Sequence, residues 1–230
     1  MKSPHSELAS KLILQAFLVI SLMDVILFGV AGRLDWLAAW FLTLIFFLLL
    51  VIVFGWGIRN APDLLEERSK ASANAKAWDK LLLRIYNLFL LGLLVTAALD
   101  AGRFRWSAMP PALQALGAVG FFVIGGVIWW CMSANAYLSR WARIQDDRGH
   151  KVVQTGPYQY VRHPMYAAII LLMPCIALAL GSWWAMIPAS LIGILFVIRT
   201  ALEDRMLIDE LPGYREYTTQ VRYRLLTGMW

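Results

Sequence analysis

Leu37 to Trp56 reads LAAWFLTLIFFLLLVIVFGW, an uncharged run in which Thr43 is the one hydroxyl side chain. As a helix rising 1.5 Å per residue, this run is about 30 Å long, the thickness of a bilayer's hydrocarbon core. The pattern recurs on both sides of it, at Leu12 to Val30, Leu81 to Leu99, Ala112 to Ala136, Met165 to Leu180 and Trp183 to Ile198. The last two stretches reach only about 24 Å. With Gly181-Ser182 between them they read as a helical hairpin, which Pro174 and Pro188 are expected to kink. The expectation is an all-α, polytopic integral-membrane helix bundle of about six spans with a short C-terminal helical hairpin. Composition agrees: 60% of residues are hydrophobic, 16% are charged and the mean hydropathy is +0.62, against roughly 45–50% apolar and 25% charged in soluble domains. That balance excludes a water-soluble globule and a disordered chain, and two cysteines exclude a disulfide scaffold.

Scarce charge carries the orientation. Lys2 and Lys11 precede the first span, which runs on into five more and so reads as an anchor rather than a cleaved leader. Arg59, Arg68, Lys70, Lys76, Lys80 and Arg84 fill the second loop. Arg140, Arg143, Arg148, Lys151 and Arg162 fill the fourth, and Arg199, Arg205, Arg215, Arg222 and Arg224 follow the last span. Arg33, Arg103 and Arg105 fall on the other side, so the positive-inside rule predicts both termini and the even loops in the cytoplasm. Trp36, Trp56, Trp106, Trp141 and Trp183 at span ends suit an aromatic belt. Asp24, within the first span, is expected to hydrogen-bond inside the bundle. Asn60 to Arg68 reads as a short capped surface helix. Cys131 and Cys175, isolated in apolar spans, read as packing thiols. His5, His150 and His163 lack ligand spacing, so no metal is expected. The basic residues form no basic-aromatic run of the kind that binds nucleic acid.

Polar information concentrates in two segments that the hairpin brings to one face, Arg143 to Tyr166 and Arg199 to Trp230. This divides the chain into a four-span scaffold, residues 1–136, and a core with its tail, residues 137–230. Gly156-Pro157 and His163-Pro164 impose a turn and extended residues. Arg199 and Glu203, four apart, share a helical face.

Gly156-Pro157-Tyr158-x-Tyr160-Val161-Arg162-His163-Pro164-x-Tyr166, then the hairpin, Arg199-x-x-x-Glu203-Asp204 and Gly213-Tyr214-x-x-Tyr217, resembles the isoprenylcysteine carboxyl methyltransferase family and its phospholipid methyltransferase relatives. The resemblance covers Trp141 to Trp230. It implies an integral-membrane enzyme that uses S-adenosyl-L-methionine without a Rossmann domain, and no GxGxxG follows a strand here. Transferred motif by motif, it implies that Gln145, His150, Lys151, Val152, Val153, Tyr158, His163, Pro164, Met165, Tyr166 and Glu203 hold the cofactor and that Arg199 faces an acceptor carboxylate. Where the family usually has a second Glu, this chain has Asp204.

Chemistry is consistent with these roles. A carboxylate such as Glu203 suits the cofactor's amino group or ribose diol, and an aromatic face such as Tyr158 suits its adenine or sulfonium. Methyl transfer to a carboxylate needs alignment rather than a general base. A guanidinium, always charged, orients such an acceptor. The expected reaction is O-methylation of a lipophilic, carboxylate-bearing acceptor that enters from the surrounding membrane lipid. The alternatives are N-methylation of a phospholipid amine, which requires a base near the sulfonium, and a non-catalytic membrane protein of the same fold.

Overall fold

The computed structural model of the chain describes residues 4–69 and 75–230. Lys2, Lys70 and the side chain of His5 lie outside the described residues. Helices α1 (Pro4–Ala31), α2 (Leu37–Asn60), α3 (Pro62–Ser69), α4 (Ala77–Ala97), α5 (Pro111–Ala134), α6 (Pro164–Leu180), α7 (Met186–Glu210) and α8 (Tyr214–Gln220) follow in order. The described residues contain no strand. A π-helical stretch, Ala98–Phe104, continues α4. Pro111 and Pro164 open α5 and α6 at the first helical position, where a missing N–H costs nothing.

Five helices are long and apolar enough to cross a bilayer: Glu7–Ala31, Leu37–Asn60, Ala77–Phe104, Pro111–Ala134 and Met186–Glu210. α6, with 17 residues, is the short one, about 26 Å long. The hairpin is therefore lopsided, correcting the expectation of two short arms: α7 runs for 25 residues, continuing through Arg199, Glu203 and Asp204 to Glu210. Its charges do not end it because the buried ones have partners elsewhere in the fold. Pro188 lies in the first turn of α7, where backbone N–H groups have no intrahelical acceptor, so it imposes no kink. Pro174 is inside α6 and removes one rung of its ladder.

One core joins α1, α2, α4, α5, α6 and α7, with Leu27, Ala39, Leu93, Ala97, Ala177 and Ile192 sealed at its centre. α5 and α6 approach most closely. A Cβ on Gly117 would sit 2.5 Å from the Ala179 backbone nitrogen, and one on Gly120 would sit 2.7 Å from Cys175 Sγ. Small residues permit such contact between membrane helices, where dispersion replaces the hydrophobic effect. Cys131 is buried and Cys175 half-buried, both free thiols. Ile13, Phe17, Leu22, Val25 and Phe41 face outward on α1 and α2, as lipid-facing residues do. Thr43 Oγ1 donates to Asp24 Oδ1 at 2.7 Å, joining α1 to α2.

Two surface expectations change. Trp36 packs in the core rather than in a belt, whereas Trp106 and Trp183 are exposed. Asn60 ends α2 and donates to Trp56 O instead of capping α3. α3 is more than a surface helix, because Leu64 and Leu65 are buried and Gly57 of α2 admits Leu65 by having no side chain of its own.

At the end of the bundle that holds the α6–α7 turn, Asp100 is fully buried. It accepts from Ser107 N at 2.8 Å, Ser107 Oγ at 2.5 Å, Ser182 Oγ at 2.6 Å and Trp184 N at 3.4 Å. Gly181, at φ +81°, makes the reversal a side chain would strain. The aspartate thus fastens the π-helical end of α4 to the hairpin tip.

Candidate functional site

At the opposite end, the segment between α5 and α6 cannot be helical throughout, because Gly149 and Gly156 take left-handed φ and Pro157 and Pro164 interrupt it. Its irregular backbone is fixed by side chains. Gln145 is buried, with Nε2 donating to Tyr137 O at 2.5 Å and Oε1 accepting from Arg148 Nη1 at 2.7 Å. The Gln145 N–H points at His150 Nδ1 at 3.4 Å, and the His150 ring packs on Tyr137. Burial, then the nearby Arg143 charge, push the His150 pKa below the ordinary histidine value. Arg143 ties the segment to α3 by donating to Glu67 at 2.7 Å, and to Asp147 at 2.9 Å.

A cavity of about 600 Å³ opens here, bounded by this segment and by residues of all eight helices. Eleven of the twelve residues expected at the site line it: Gln145, His150, Lys151, Val152, Val153, Tyr158, His163, Met165, Tyr166, Arg199 and Glu203. Pro164 does not; it opens α6. Tyr158 is buried, and its hydroxyl lies near the Asn135 side chain without meeting a partner at full hydrogen-bond geometry among the described residues. Burial pushes its pKa up, so it stays a neutral donor. The Tyr166 hydroxyl donates to Glu203 Oε2, and the Tyr166 ring stacks on His163.

Arg199 is buried in the cavity wall, its guanidinium 4.9 Å from the Tyr166 ring centroid. Its Nε donates to Asp79 Oδ1 at 2.8 Å and its Nη2 to Arg140 O at 3.0 Å. Asp79, in the first turn of α4, is fully buried and also accepts from Ala142 N. Sequence reading passed over Asp79. Its one signal was an acid near the N-terminus of an apolar span, where an acid also suits the helix dipole.

The second acid takes a different place from the first. Glu203 lines the cavity, whereas Asp204 is sealed behind it. Asp204 accepts from Arg162 Nε at 2.8 Å and Nη2 at 2.9 Å, Arg224 Nε at 2.8 Å and Tyr214 OH at 3.0 Å, with His163 Nε2 at 3.2 Å. The tail joins the same knot: Arg162 N donates to Tyr223 O and His163 N to Arg224 O, while Arg162 Nη1 reaches the carbonyls of Val221 and Arg222. Arg162 is therefore an internal tie, and Arg222 to Arg224 brace the wall that carries His163.

Residues 114–211 match the family model of the phospholipid methyltransferases. The match spans α5, the irregular segment, α6 and α7, and contains all twelve residues of the expected site. No curated protein matches the chain. The matched domain supports a methyltransferase, and together with five long apolar helices it supports a multi-pass membrane one.

Proposed function

We propose that the protein is an S-adenosyl-L-methionine-dependent membrane methyltransferase that transfers a methyl group to the carboxylate of a lipophilic acceptor. The observation that carries this reading is the make-up of this cavity. One half is polar, built by His150, Tyr158, His163, Tyr166 and Glu203. The other is an apolar slot built by Leu12 and Val19 of α1, Phe46, Leu49 and Val53 of α2, and Ile128 of α5. Val19 is half-exposed on the outer face of α1, so the slot reaches the lipid-facing surface. A volume of 600 Å³ falls within the roughly 300–1,000 Å³ of small-molecule sites. On the positive-inside rule, the polar half faces the cytoplasm, where soluble cofactor is available.

The polar half fits the donor by its chemistry. Glu203 offers a carboxylate to an ammonium or diol, the Tyr158 hydroxyl offers a buried donor, and Tyr158, Tyr166 and His163 offer ring faces to a cation. Held by Glu203 and the rings of Tyr158, Tyr166 and His163, S-adenosyl-L-methionine would supply its methyl group to an acceptor carboxylate oxygen and leave as a neutral thioether, giving a neutral ester with no proton to transfer. The walls hold the acceptor in line and exclude water, which strengthens the attraction between oxyanion and sulfonium. Arg199, held in the cavity wall by Asp79, would orient the acceptor carboxylate with its guanidinium charge.

The match to phospholipid methyltransferases favours a second reading, N-methylation of a lipid amine. One experiment separates the two: incubation of the purified protein with methyl-labelled cofactor and total membrane lipid, then alkaline treatment of the labelled product. Label released by base means an ester and supports the carboxylate reading. Base-stable label means nitrogen, and no label from any lipid fraction contradicts both.

A further inference from the structure

Six cations line the cavity: Arg68, Arg140, Arg143, Lys151, Arg162 and Arg199. Three have carboxylate partners, Arg143 with Glu67 and Asp147, Arg162 with Asp204, and Arg199 with Asp79. Lys151 is exposed, next to Val152, which packs on the α8 side. Two arginines remain without a carboxylate among the described residues. Arg68 is half-buried, and its one hydrogen bond is from Nη1 to Leu138 O at 3.1 Å. Arg140 stands over the Trp141 ring, and its carbonyl accepts from Arg199, which fixes it beside that residue. A half-buried guanidinium without a counter-charge is unfavourable unless an anion completes it. Burial, with the Arg140 and Arg199 charges nearby, pushes the Arg68 pKa down.

Position says which ligand these charges serve. Arg68 is one turn beyond Leu65 on α3, and both line the cavity. α3 packs against α1 and α2, the helices that build the apolar slot, and Lys11 of α1 bonds to Ser69 at 3.0 Å. Arg68 therefore stands where the slot meets the polar half, close to the charges of Arg140 and Arg199, whereas Val152 packs with Leu211, Tyr214 and Tyr217 on the α7–α8 side.

We infer that Arg68 and Arg140 form a binding site for the oxyanion headgroup, phosphate or carboxylate, of an acceptor whose apolar tail occupies the α1–α2 slot. The inference rests on the methyltransferase reading and deepens it by adding the residues that hold the acceptor's oxyanion: Arg68 and Arg140, which have no carboxylate partner among the described residues, beside Arg199, which keeps Asp79. Arginine suits this task because its planar fork binds oxyanions through two parallel hydrogen bonds.

The test is calorimetry on the full chain in neutral detergent, titrated separately with dodecyl phosphate, laurate, inorganic phosphate and S-adenosylhomocysteine. Wild type, Arg68→Gln, Arg68→Lys and Arg140→Gln are compared, each checked for an unchanged unfolding midpoint. Arg140→Gln, with its side chain at the exposed mouth, keeps the test usable should an Arg68 variant fail to fold. The expected result is that a tailed anion binds and inorganic phosphate at the same concentration does not. Arg68→Gln and Arg140→Gln should each weaken the tailed anion about tenfold, the effect of losing one charge-assisted contact, with partial recovery in Arg68→Lys. S-adenosylhomocysteine affinity should change less than twofold. Equal anion binding by wild type and both Gln variants overturns the inference. So does inorganic phosphate binding as tightly as dodecyl phosphate, or a loss in Arg68→Gln that falls on S-adenosylhomocysteine instead. If wild type binds the tailed anion but not S-adenosylhomocysteine, the methyltransferase reading fails while the anion site stands. Which anion binds more tightly tells phosphate from carboxylate headgroups.

Discussion

Each end of the bundle is closed on a fully buried aspartate, and the two are surrounded differently. Asp100 receives only neutral donors, two serine hydroxyls and two backbone N–H groups, and it joins a turn to a helix end. Asp204 receives two guanidinium groups, a tyrosine hydroxyl and a histidine ring, and it joins a helix, the irregular segment and the tail. Neutral donors suffice where a connection only has to be short. Cations are drawn in where three separate segments must be held at fixed distances beside a cavity. That difference marks the Asp204 end as the working end: its charges stay behind the wall and Glu203, one residue earlier, faces the cavity.

The contrast can be broken from the strong side first. Asp204→Ala would leave Arg162 buried without a counter-charge, costing about 3–5 kcal/mol, and its unfolding midpoint in detergent should fall further than that of any other single variant here. Asp100→Ala orphans neutral donors only, and should cost less, about 1–3 kcal/mol. If the two rank the other way, the distinction between a neutral clasp and a charged brace is wrong. Arg224→Ala should cost less again, about 1 kcal/mol, since its side chain is 30% exposed and Asp204 keeps Arg162. A loss comparable to that of Asp204→Ala would make the tail, rather than Arg162, the main counter-charge.

The smallest expected effect is a pH dependence at the working end. Burial lowers the His150 pKa in the fold, so the neutral ring is favoured there. The sign follows: its contribution is present above the unfolded value, near 6.5, and is lost as pH falls through the folded value. The unfolding midpoint in detergent should fall as pH drops from 7 towards 5, and His150→Asn should flatten that slope. An unchanged slope in His150→Asn would assign the dependence elsewhere.

The chain itself carried the order of the apolar helices, because Leu37 to Trp56 and the other long runs fit a bilayer by length alone. It did not carry the reach of α7. A hydropathy reading stops where Arg199, Glu203 and Asp204 begin, yet the helix continues because Asp79, 120 residues away, neutralises Arg199 and Arg162 neutralises Asp204. Long-range pairing is invisible in a local pattern. The irregular segment was legible for the opposite reason: its prolines and glycines determine its backbone directly, and its residues from Gln145 to Tyr166 came out along one cavity. Pro164 fell outside because its contribution is to start α6. In the sequence Arg162 is one of the basic residues of the fourth loop, and Asp204 stands where the resemblance has a second Glu. In the fold they are partners, a role set by burial rather than by spacing.

The most direct measurement of the central claim is the affinity of S-adenosylhomocysteine for the purified protein, by calorimetry, in wild type and in Glu203→Gln. The account predicts binding by wild type and at least about tenfold weaker binding by Glu203→Gln, the cost of removing a carboxylate from a charge-assisted contact. No binding by wild type, or equal binding by both, would contradict it.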